Sequence, residues 1–358
     1  MSDSMREIFA STIERLLADT STPAVVLASE SGAWPAALWS AVDDSGFTLA
    51  AAPESAGGAG ASWDDLFVVL VACGRHNAPV PLPEAMLANW LLGRAGLEAL
   101  GGPLSFAANS TLRLADGRVS GRLAEVPWGR HVDHVVALAD ADTEPTVVLL
   151  ATSAGAQAAL RQNIAAEPRD VLDFDQAAVL ASAPLPAGLP REVLLHGGAL
   201  LRAAQSAGAL QALLEMSTRY ATERVQFGKP IGSFQAIGHQ IAVLAEQVAL
   251  ASVAAEAACA ESDATGAAGF ALLPLAAAKV CSAEAAGIAA GIAHAVHGAI
   301  GFTHEHQLHL TTRRLWAWRS EYGSLTDWSQ RIGRVVCAGG AAGFWPMVTR
   351  DAAQGELS

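Results

Sequence analysis

Charged side chains are scarce in this chain of 358 residues, at 16% of the total, and their balance is acidic, with a formal net charge of −13. The sequence has no basic stripe that could displace counterions from a polyanion, which argues against nucleic-acid binding. Any anionic ligand must therefore be bound by local arginine and lysine side chains against an unfavourable overall field.

Paired cysteines and convincing membrane spans are also lacking. Cys73, Cys259, Cys281 and Cys337 are scattered without a C-x-x-C pair, which is typical of small buried residues in a reducing compartment. The best apolar run, roughly residues 285–302, contains two histidines and several glycines, so it predicts no membrane span. The start of the chain shows no secretory signal. We therefore expect a cytoplasmic protein.

What the chain has in abundance is apolar residues, at 52%, and most of these are alanine. Alanine favours closely packed helices. The length suits two or three domains, and the apolar content suggests that part of the surface is buried between subunits.

Periodicity and turn residues divide the chain into three parts. Residues 1–100 form a helical domain, and residues 101–188 form a small, β-barrel-like domain with a hairpin at Asp116-Gly117. Residues 189–345 form a C-terminal four-helix bundle. The predicted helices are 4–18, 35–42, 63–75, 84–95, 200–223, 234–260 and 267–296, with a last helix through 336 that Ser324 and Asp327 open as a capping box.

The break between two bundle helices, residues 224–235, has the features of an anion-binding loop. Three helix-breaking residues, Gly228, Pro230 and Gly232, are followed by Ser233, which can cap the next helix. The start of a helix exposes unpaired N–H groups and a partial positive charge, and Arg224 lies close by in sequence. The alternative is an ordinary helix–helix turn with a solvated arginine.

Three motifs resemble the acyl-CoA dehydrogenase family, in the family's order. The loop Arg-x-Gln-Phe-Gly-x-Pro-Ile-x-x-Phe-Gln at 224–235 is similar to its FAD-binding loop, and residues 297–306 are similar to its C-terminal glycine motif. Residues 53–60 resemble its Pro-Glu-x-x-Gly-Gly-x-Gly turn. The resemblance implies the family's fold: a helical domain, a central β domain and a C-terminal helical bundle.

The resemblance also implies a cofactor, a reaction and partners. FAD would be bound by a neighbouring subunit's loop, which implies a homo- or hetero-oligomer, and an acyl-CoA thioester would lose its α-proton to a carboxylate and its β-hydride to the flavin. An electron-transfer flavoprotein is the expected electron acceptor. The cofactor-binding residues carried over onto this sequence are Arg224, Gln226, Phe227, Gln235, Gly298 and Gly301.

The catalytic base is carried over onto Glu321. Many family members place a glutamate in a Tyr-Glu-Gly-Thr segment near the C-terminus, and the segment here is Glu321-Tyr322-Gly323-Ser324. Alignment on the glycine puts Tyr322 at the base position, and a shift of one residue puts Glu321 there. The alternative for Glu321 is a surface or arginine-paired glutamate, with Arg314 and Arg319 close in sequence.

Some expected features of the family are missing. The β region lacks the Thr-Glu-Pro-x-x-Gly-Ser type segment, and Ala295 and Ala299 stand where the family usually has Gln and Gly. A non-catalytic subunit that completes the FAD site of a heteromeric acyl-CoA dehydrogenase is therefore the alternative function. Four histidines between 297 and 309 have no H-E-x-x-H spacing, so no metal site is predicted.

Overall fold

The computed structural model describes residues 2–141 and 144–349. Its N-terminal part consists of five helices, of which the sequence pattern predicts all but the second. That helix begins at Pro23, where Thr22 accepts a hydrogen bond from the backbone N–H of Val25. The helices are α1 (Ser2–Thr20), α2 (Pro23–Glu30), α3 (Ala36–Asp44), α4 (Trp63–Arg75) and α5 (Leu82–Arg94).

A seven-stranded sheet follows, in the spatial order β5-β6-β2-β1-β3-β4-β7. Only β1 and β3 pair in parallel; the other described neighbours are antiparallel. The strands are β1 (Leu104–Ala115), β2 (Arg118–Pro127), β3 (His134–Asp140), β4 (Pro145–Ala151), β5 (Ala156–Ala159), β6 (Arg169–Ala178) and β7 (Ala181–Pro184).

The predicted hairpin between the first two strands is confirmed. Ala115 pairs with Arg118, and the turn residues Asp116 and Gly117 have φ angles of 49° and 70°. Two positive φ angles define the type I′ turn that Asp-Gly favours.

The C-terminal part is a helical bundle, so the predicted architecture, mainly α with a small central β domain, is confirmed. The Ser324–Asp327 capping box is also confirmed, because each residue's side chain accepts a hydrogen bond from the other's backbone N–H. The helix that it opens runs beyond the predicted 336. The helices are α6 (Val193–Glu223), α7 (Gln235–Ala264), α8 (Leu272–His297), α9 (Leu308–Trp318) and α10 (Leu325–Thr349).

Two bundle segments, Gln235–Ala264 and Leu272–Phe302, are long and apolar enough to cross a membrane, with mean hydropathies of 1.5 and 1.4. The apolar run considered from the sequence covers only part of the second. Helices α7 and α8 pack against each other and against α6, and the core helices of soluble bundles meet the same two criteria. Length and composition are therefore weak support for a membrane span.

Candidate functional site

The break after α6 forms a β-hairpin with an exposed tip. β8 (Val225–Gln226) pairs with β9 (Lys229–Pro230), and the residues between them, Phe227 and Gly228, have φ angles of 52° and 81°. This is again a type I′ turn, in which the glycine carries no steric cost. Phe227 is 92% exposed, so the tip presents an aromatic ring to solvent.

Two hydrogen-bond donors of this hairpin are free. Arg224 and Gln226 are exposed, and neither side chain has a hydrogen-bond or ion-pair partner within residues 2–141 and 144–349. Their donors are therefore available to a ligand with phosphate oxygens.

The helix that follows the hairpin starts without a side-chain cap. Gln235 is the first residue of α7, and the N-cap residue Phe234 makes no capping hydrogen bond. The prediction that Ser233 caps this helix is wrong, because the N-cap position is Phe234 and Ser233 is the last residue of a 3₁₀ turn, Ile231–Ser233. The Ser233 hydroxyl donates to the carbonyl oxygen of Pro230 at 2.7 Å. The first turn of α7 therefore keeps its partial positive charge uncompensated by a capping side chain.

The glycine motif lies where α8 ends. Gly298 has φ 61° and ψ −142°, a conformation that is almost confined to glycine. Gly301 is buried, and a Cβ there would lie 2.9 Å from Leu308 Cδ2 and 3.0 Å from His297 Cβ. The first glycine is thus required by the backbone and the second by packing.

One contact joins the end of α8 to the helix that leads into the hairpin. The ring of Tyr220, one turn before Arg224 on α6, stacks on His297 with ring centroids 4.6 Å apart. The hairpin and the glycine motif therefore emerge from the same end of the bundle.

Beside the glycine motif runs an open apolar groove of about 700 Å³. It is lined by small residues about one helical turn apart, by His294, and by the rings of Phe302 and Trp316, which are 73% and 48% exposed. Small side chains on one helix face allow close approach by a ligand or by another helix. The small lining residues are Gly287, Ala290, Gly291, Ala295, Gly298 and Ala299.

Glu321 is held by two arginines. Its Oε1 accepts hydrogen bonds from Asn163 Nδ2 and Arg169 Nε, both at 2.9 Å. Its Oε2 accepts from an Arg169 terminal nitrogen at 3.0 Å and from Arg202 Nε at 2.7 Å. Burial alone would raise the pKa of Glu321, but the charges of Arg169 and Arg202 outweigh it and lower the pKa well below its usual range. This arrangement matches the arginine-paired alternative, and it disfavours proton abstraction by Glu321.

The same arginines extend the cluster to other parts of the chain. Arg202 donates to Glu84 Oε1 of α5 at 2.7 Å, and Arg169 donates to Glu167 Oε2 at 2.9 Å. All four of these side chains are at most 9% exposed. The carboxylates and guanidinium groups therefore neutralise one another away from water.

Tyr322, which alignment on the glycine puts at the base position, is packed between the β domain and the bundle. Its ring stacks on Phe106 of β1, with ring centroids 5.6 Å apart, and lies against Gly198 of α6, where a Cβ would be 2.6 Å from the ring. Tyr322 itself has φ 58°. Gly198 is thus required by the tyrosine that faces it.

The histidines form ring contacts and no metal site. In the described parts of the chain no group of three or more His, Cys, Asp or Glu side chains could hold a metal ion. His297 lies between Tyr220 and His306, and His294 stacks on Phe302. Burial, with smaller contributions from neighbouring histidines, lowers the pKa of His294, His297 and His306.

Comparison with known proteins identifies the family. Residues 4–101 match the family described as "Acyl-CoA dehydrogenase, N-terminal domain", and residues 191–324 match "Acyl-CoA dehydrogenase, C-terminal domain". The chain is 32% identical over 314 residues to the acyl-CoA dehydrogenase IpdE2 of Mycobacterium tuberculosis, covering 86% of this chain and 90% of the relative. The chain belongs to the acyl-CoA dehydrogenase family. The resemblance predicted from the three motifs is therefore confirmed.

Another relative and two solved structures are also similar to this chain. The acyl-CoA dehydrogenase FadE34 of the same organism is 32% identical over 81% of this chain, which spans 40% of that relative. The ChsE4-ChsE5 complex of Mycobacterium tuberculosis has a chain with a TM-score of 0.84 at 24% identity, covering 94% of this chain and 98% of the other. A glutaryl-coenzyme A dehydrogenase complex has a TM-score of 0.79 at 20% identity, covering 94% and 96%. These two structures show a shared fold.

In this acyl-CoA dehydrogenase, the sequence does not predict the buried ion cluster formed by Glu84, Glu167, Arg169, Arg202 and Glu321. Each of three residues is the only Asp, Glu, Lys or Arg of a long stretch: Glu84 in 76–93, Arg202 in 193–214 and Lys279 in 264–283. Such isolated charges inside apolar runs are the signal that could have found them, because a buried charge needs a partner.

Proposed function

We propose that this chain takes part in the FAD-dependent α,β-dehydrogenation of an acyl-CoA thioester. Its family membership supports the reaction class, and the exposed hairpin supports the cofactor. FAD, when bound, accepts the β-hydride and so supplies the redox chemistry. The remaining requirements are protein groups that hold the cofactor, a carboxylate that removes the α-proton and donors that stabilise the thioester oxygen.

The hairpin is the observation that carries the cofactor assignment. Arg224 and Gln226 offer unpartnered donors, and the first turn of α7, with Gln235, offers N–H groups and a partial positive charge. This donor set fits a pyrophosphate. Phe227 would contact the cofactor with its exposed ring.

The glycine motif would complete the cofactor surface. Gly298 lines the apolar groove, while Gly301 is packed closely against Leu308 and His297. Because the hairpin projects from its own bundle, we propose that it reaches the cofactor of a neighbouring subunit in a homo- or hetero-oligomer. We also propose an electron-transfer flavoprotein as the electron acceptor.

Replacing Arg224 tests this assignment. Arg224→Ala should weaken FAD binding about ten- to a hundredfold, the loss expected for a charged hydrogen bond to phosphate. The thermal stability of the FAD-free protein should not change, because the Arg224 side chain is exposed and unpartnered among the described residues. FAD binding would be measured by flavin fluorescence.

The matched control for Arg224 is Arg219, another exposed arginine of α6 without a side-chain partner in the described parts of the chain. Arg219→Ala should leave FAD affinity unchanged. Equal FAD affinity in Arg224→Ala and wild type would refute the hairpin as the pyrophosphate site.

A second function is favoured by the state of Glu321. A carboxylate that two arginines hold is a poor base, so this chain would then be a non-catalytic subunit, completing the FAD site of a heteromer while a homologous partner supplies the base. The shared fold with a chain of the ChsE4-ChsE5 complex is consistent with this arrangement.

Purification distinguishes the two functions. A catalytic chain should be yellow when purified alone, and its flavin absorbance should bleach on anaerobic addition of an acyl-CoA. A non-catalytic subunit should be colourless alone and yellow when co-expressed with a homologous partner. A protein that stays colourless in both cases would contradict both functions.

A further inference from the structure

Glu321 connects three parts of the chain that the sequence keeps far apart. Asn163 and Arg169 belong to the β domain, at 158 and 152 residues from Glu321, and Arg202 belongs to α6, at 119 residues. Arg202 also donates to Glu84 of the N-terminal helical domain. One carboxylate therefore receives hydrogen bonds from the β domain and the bundle, and is tied through Arg202 to the N-terminal helices.

The backbone of Glu321 is also held by a buried side chain. Lys279 Nζ, on α8, donates to the carbonyl oxygen of Glu321 at 2.9 Å and to that of Trp318 at 3.1 Å. Lys279 is 1% exposed. The segment between α9 and α10 is thus anchored to a third helix at the residue that also bears the carboxylate.

The residues directly after Glu321 need such an anchor. Tyr322 and Gly323 have φ angles of 58° and 106°, and a tyrosine in the left-handed region persists only where its surroundings enforce it. Glu321 fixes one side of this turn, and Phe106 and Gly198 enclose the tyrosine ring on the other.

We propose that Glu321 is a positioning residue in the dehydrogenation proposed above: through Arg169 and Arg202 it orients the β domain against the bundle and fixes Tyr322 between them. It is therefore not the base. Both of its oxygens accept hydrogen bonds from buried arginine donors, so the removal of its charge leaves Arg169 and Arg202 with one carboxylate partner each, Glu167 and Glu84, and breaks the link between the two arginines.

Hydrogen–deuterium exchange in the full-length, FAD-free chain tests the coupling without any flavin. Arg169 lies in the β domain, but it donates to Glu321 in the turn at 319–324. Arg169→Gln should therefore make opening of that turn easier and speed exchange of the amides at 319–324 about tenfold. Glu321→Gln should in turn speed exchange at 161–170. Glu321→Asp, which keeps the charge, should restore part of the protection.

The control is another arginine–carboxylate pair of the same sheet. Arg122 donates to both oxygens of Asp173, at 2.6 and 2.8 Å, but the two side chains are 58% and 39% exposed. Arg122→Gln should leave exchange at 319–324 unchanged. If Arg169→Gln also leaves it unchanged, the proposed coupling is wrong, even if Glu321→Gln does not fold.

Flavin bleaching in the loaded protein, or in its complex with a partner, separates positioning from catalysis. A base would be lost in Glu321→Gln, at a cost of at least about a hundredfold in bleaching rate, while Arg169→Gln would keep it. If Glu321 is a positioning residue, Glu321→Gln and Arg169→Gln should lower the bleaching rate by the same, smaller factor. The double variant should then be no slower than either single variant. A wild-type chain that never binds flavin contradicts the proposed function and leaves the exchange result to decide the coupling.

Discussion

A single buried lysine has a titration that stability measurements can detect. Burial lowers the pKa of Lys279 to about 7, with Arg202 also lowering it and Glu321 opposing. Between pH 7 and the ordinary lysine value the unfolded chain binds a proton that the folded chain does not. Stability contributed by this residue should therefore rise with pH across that window and be flat below it.

Lys279→Met isolates this effect. In the variant the slope of unfolding free energy against pH, between about pH 7 and 10, should be lower than in wild type by as much as ~1.4 kcal/mol per pH unit. Urea unfolding at closely spaced pH values provides the measurement. Parallel pH curves for the two proteins would show that Lys279 stays protonated in the fold.

At the scale of single residues, the candidate site residues that a sequence motif can identify are those that lie close together in the chain. Arg224, Gln226 and Gln235 lie in one short segment whose glycines and proline act locally, so a motif suffices to find them. The partners of Glu321 come from 119 to 158 residues away. Such partners depend on the tertiary fold, so the sequence suggests the neighbouring Arg314 and Arg319, whereas the structure pairs Glu321 with Arg169 and Arg202.

At the scale of elements, the sequence correctly predicts those turns and caps whose hydrogen bonds join residues close together in the chain. The Asp116-Gly117 hairpin and the Ser324–Asp327 capping box form as predicted because each needs only adjacent residues. Strands β5 and β7 are short and rich in alanine, so they lack a strand pattern and are stabilised by pairing with β6 and β4. Ser233 does not cap α7 because it lies one residue before the N-cap position, at the end of the 3₁₀ turn Ile231–Ser233.

Two helices approach each other closely at reciprocal glycines, which allows a prediction at the scale of elements. A Cβ at Gly208 of α6 would lie 1.9 Å from the Val71 carbonyl oxygen of α4, and one at Gly74 would lie 1.8 Å from the Gln205 carbonyl oxygen. Gly208→Ala should destabilise the protein by about 1–3 kcal/mol, since the overpacking exceeds the gain in helix propensity.

The comparison for Gly208 is Gly333 of α10, which is exposed and where an added Cβ would meet no other atom within 4 Å. Gly333→Ala should stabilise the protein by about 0.5–1 kcal/mol, because only the propensity difference remains. Thermal unfolding of both variants checks the opposite signs. Two stabilising substitutions would mean that α4 and α6 do not approach each other this closely.

At the scale of the whole molecule, the helical bundle exposes a large amount of apolar surface. Only 28% of the most apolar window of α7 and 44% of that of the segment Leu272–Phe302 are buried within the chain. Val253 of α7 is 67% exposed, and Phe302 in the apolar groove is 73% exposed. Because large apolar patches on soluble proteins mark interaction sites, we expect these faces to be covered in an oligomer.

Sedimentation tests this expectation. The wild-type chain, alone or with a homologous partner, should sediment at twice its mass of 36.8 kDa or more. Val253→Lys should weaken the assembly at least about tenfold, because it buries an unpaired charge in the interface. Ile8→Lys, at a 59% exposed apolar site on α1 outside the bundle, should not. A wild type that stays monomeric at micromolar concentration under both conditions would contradict the expected oligomer. It would also remove the neighbouring subunit on which the cofactor assignment of the hairpin depends.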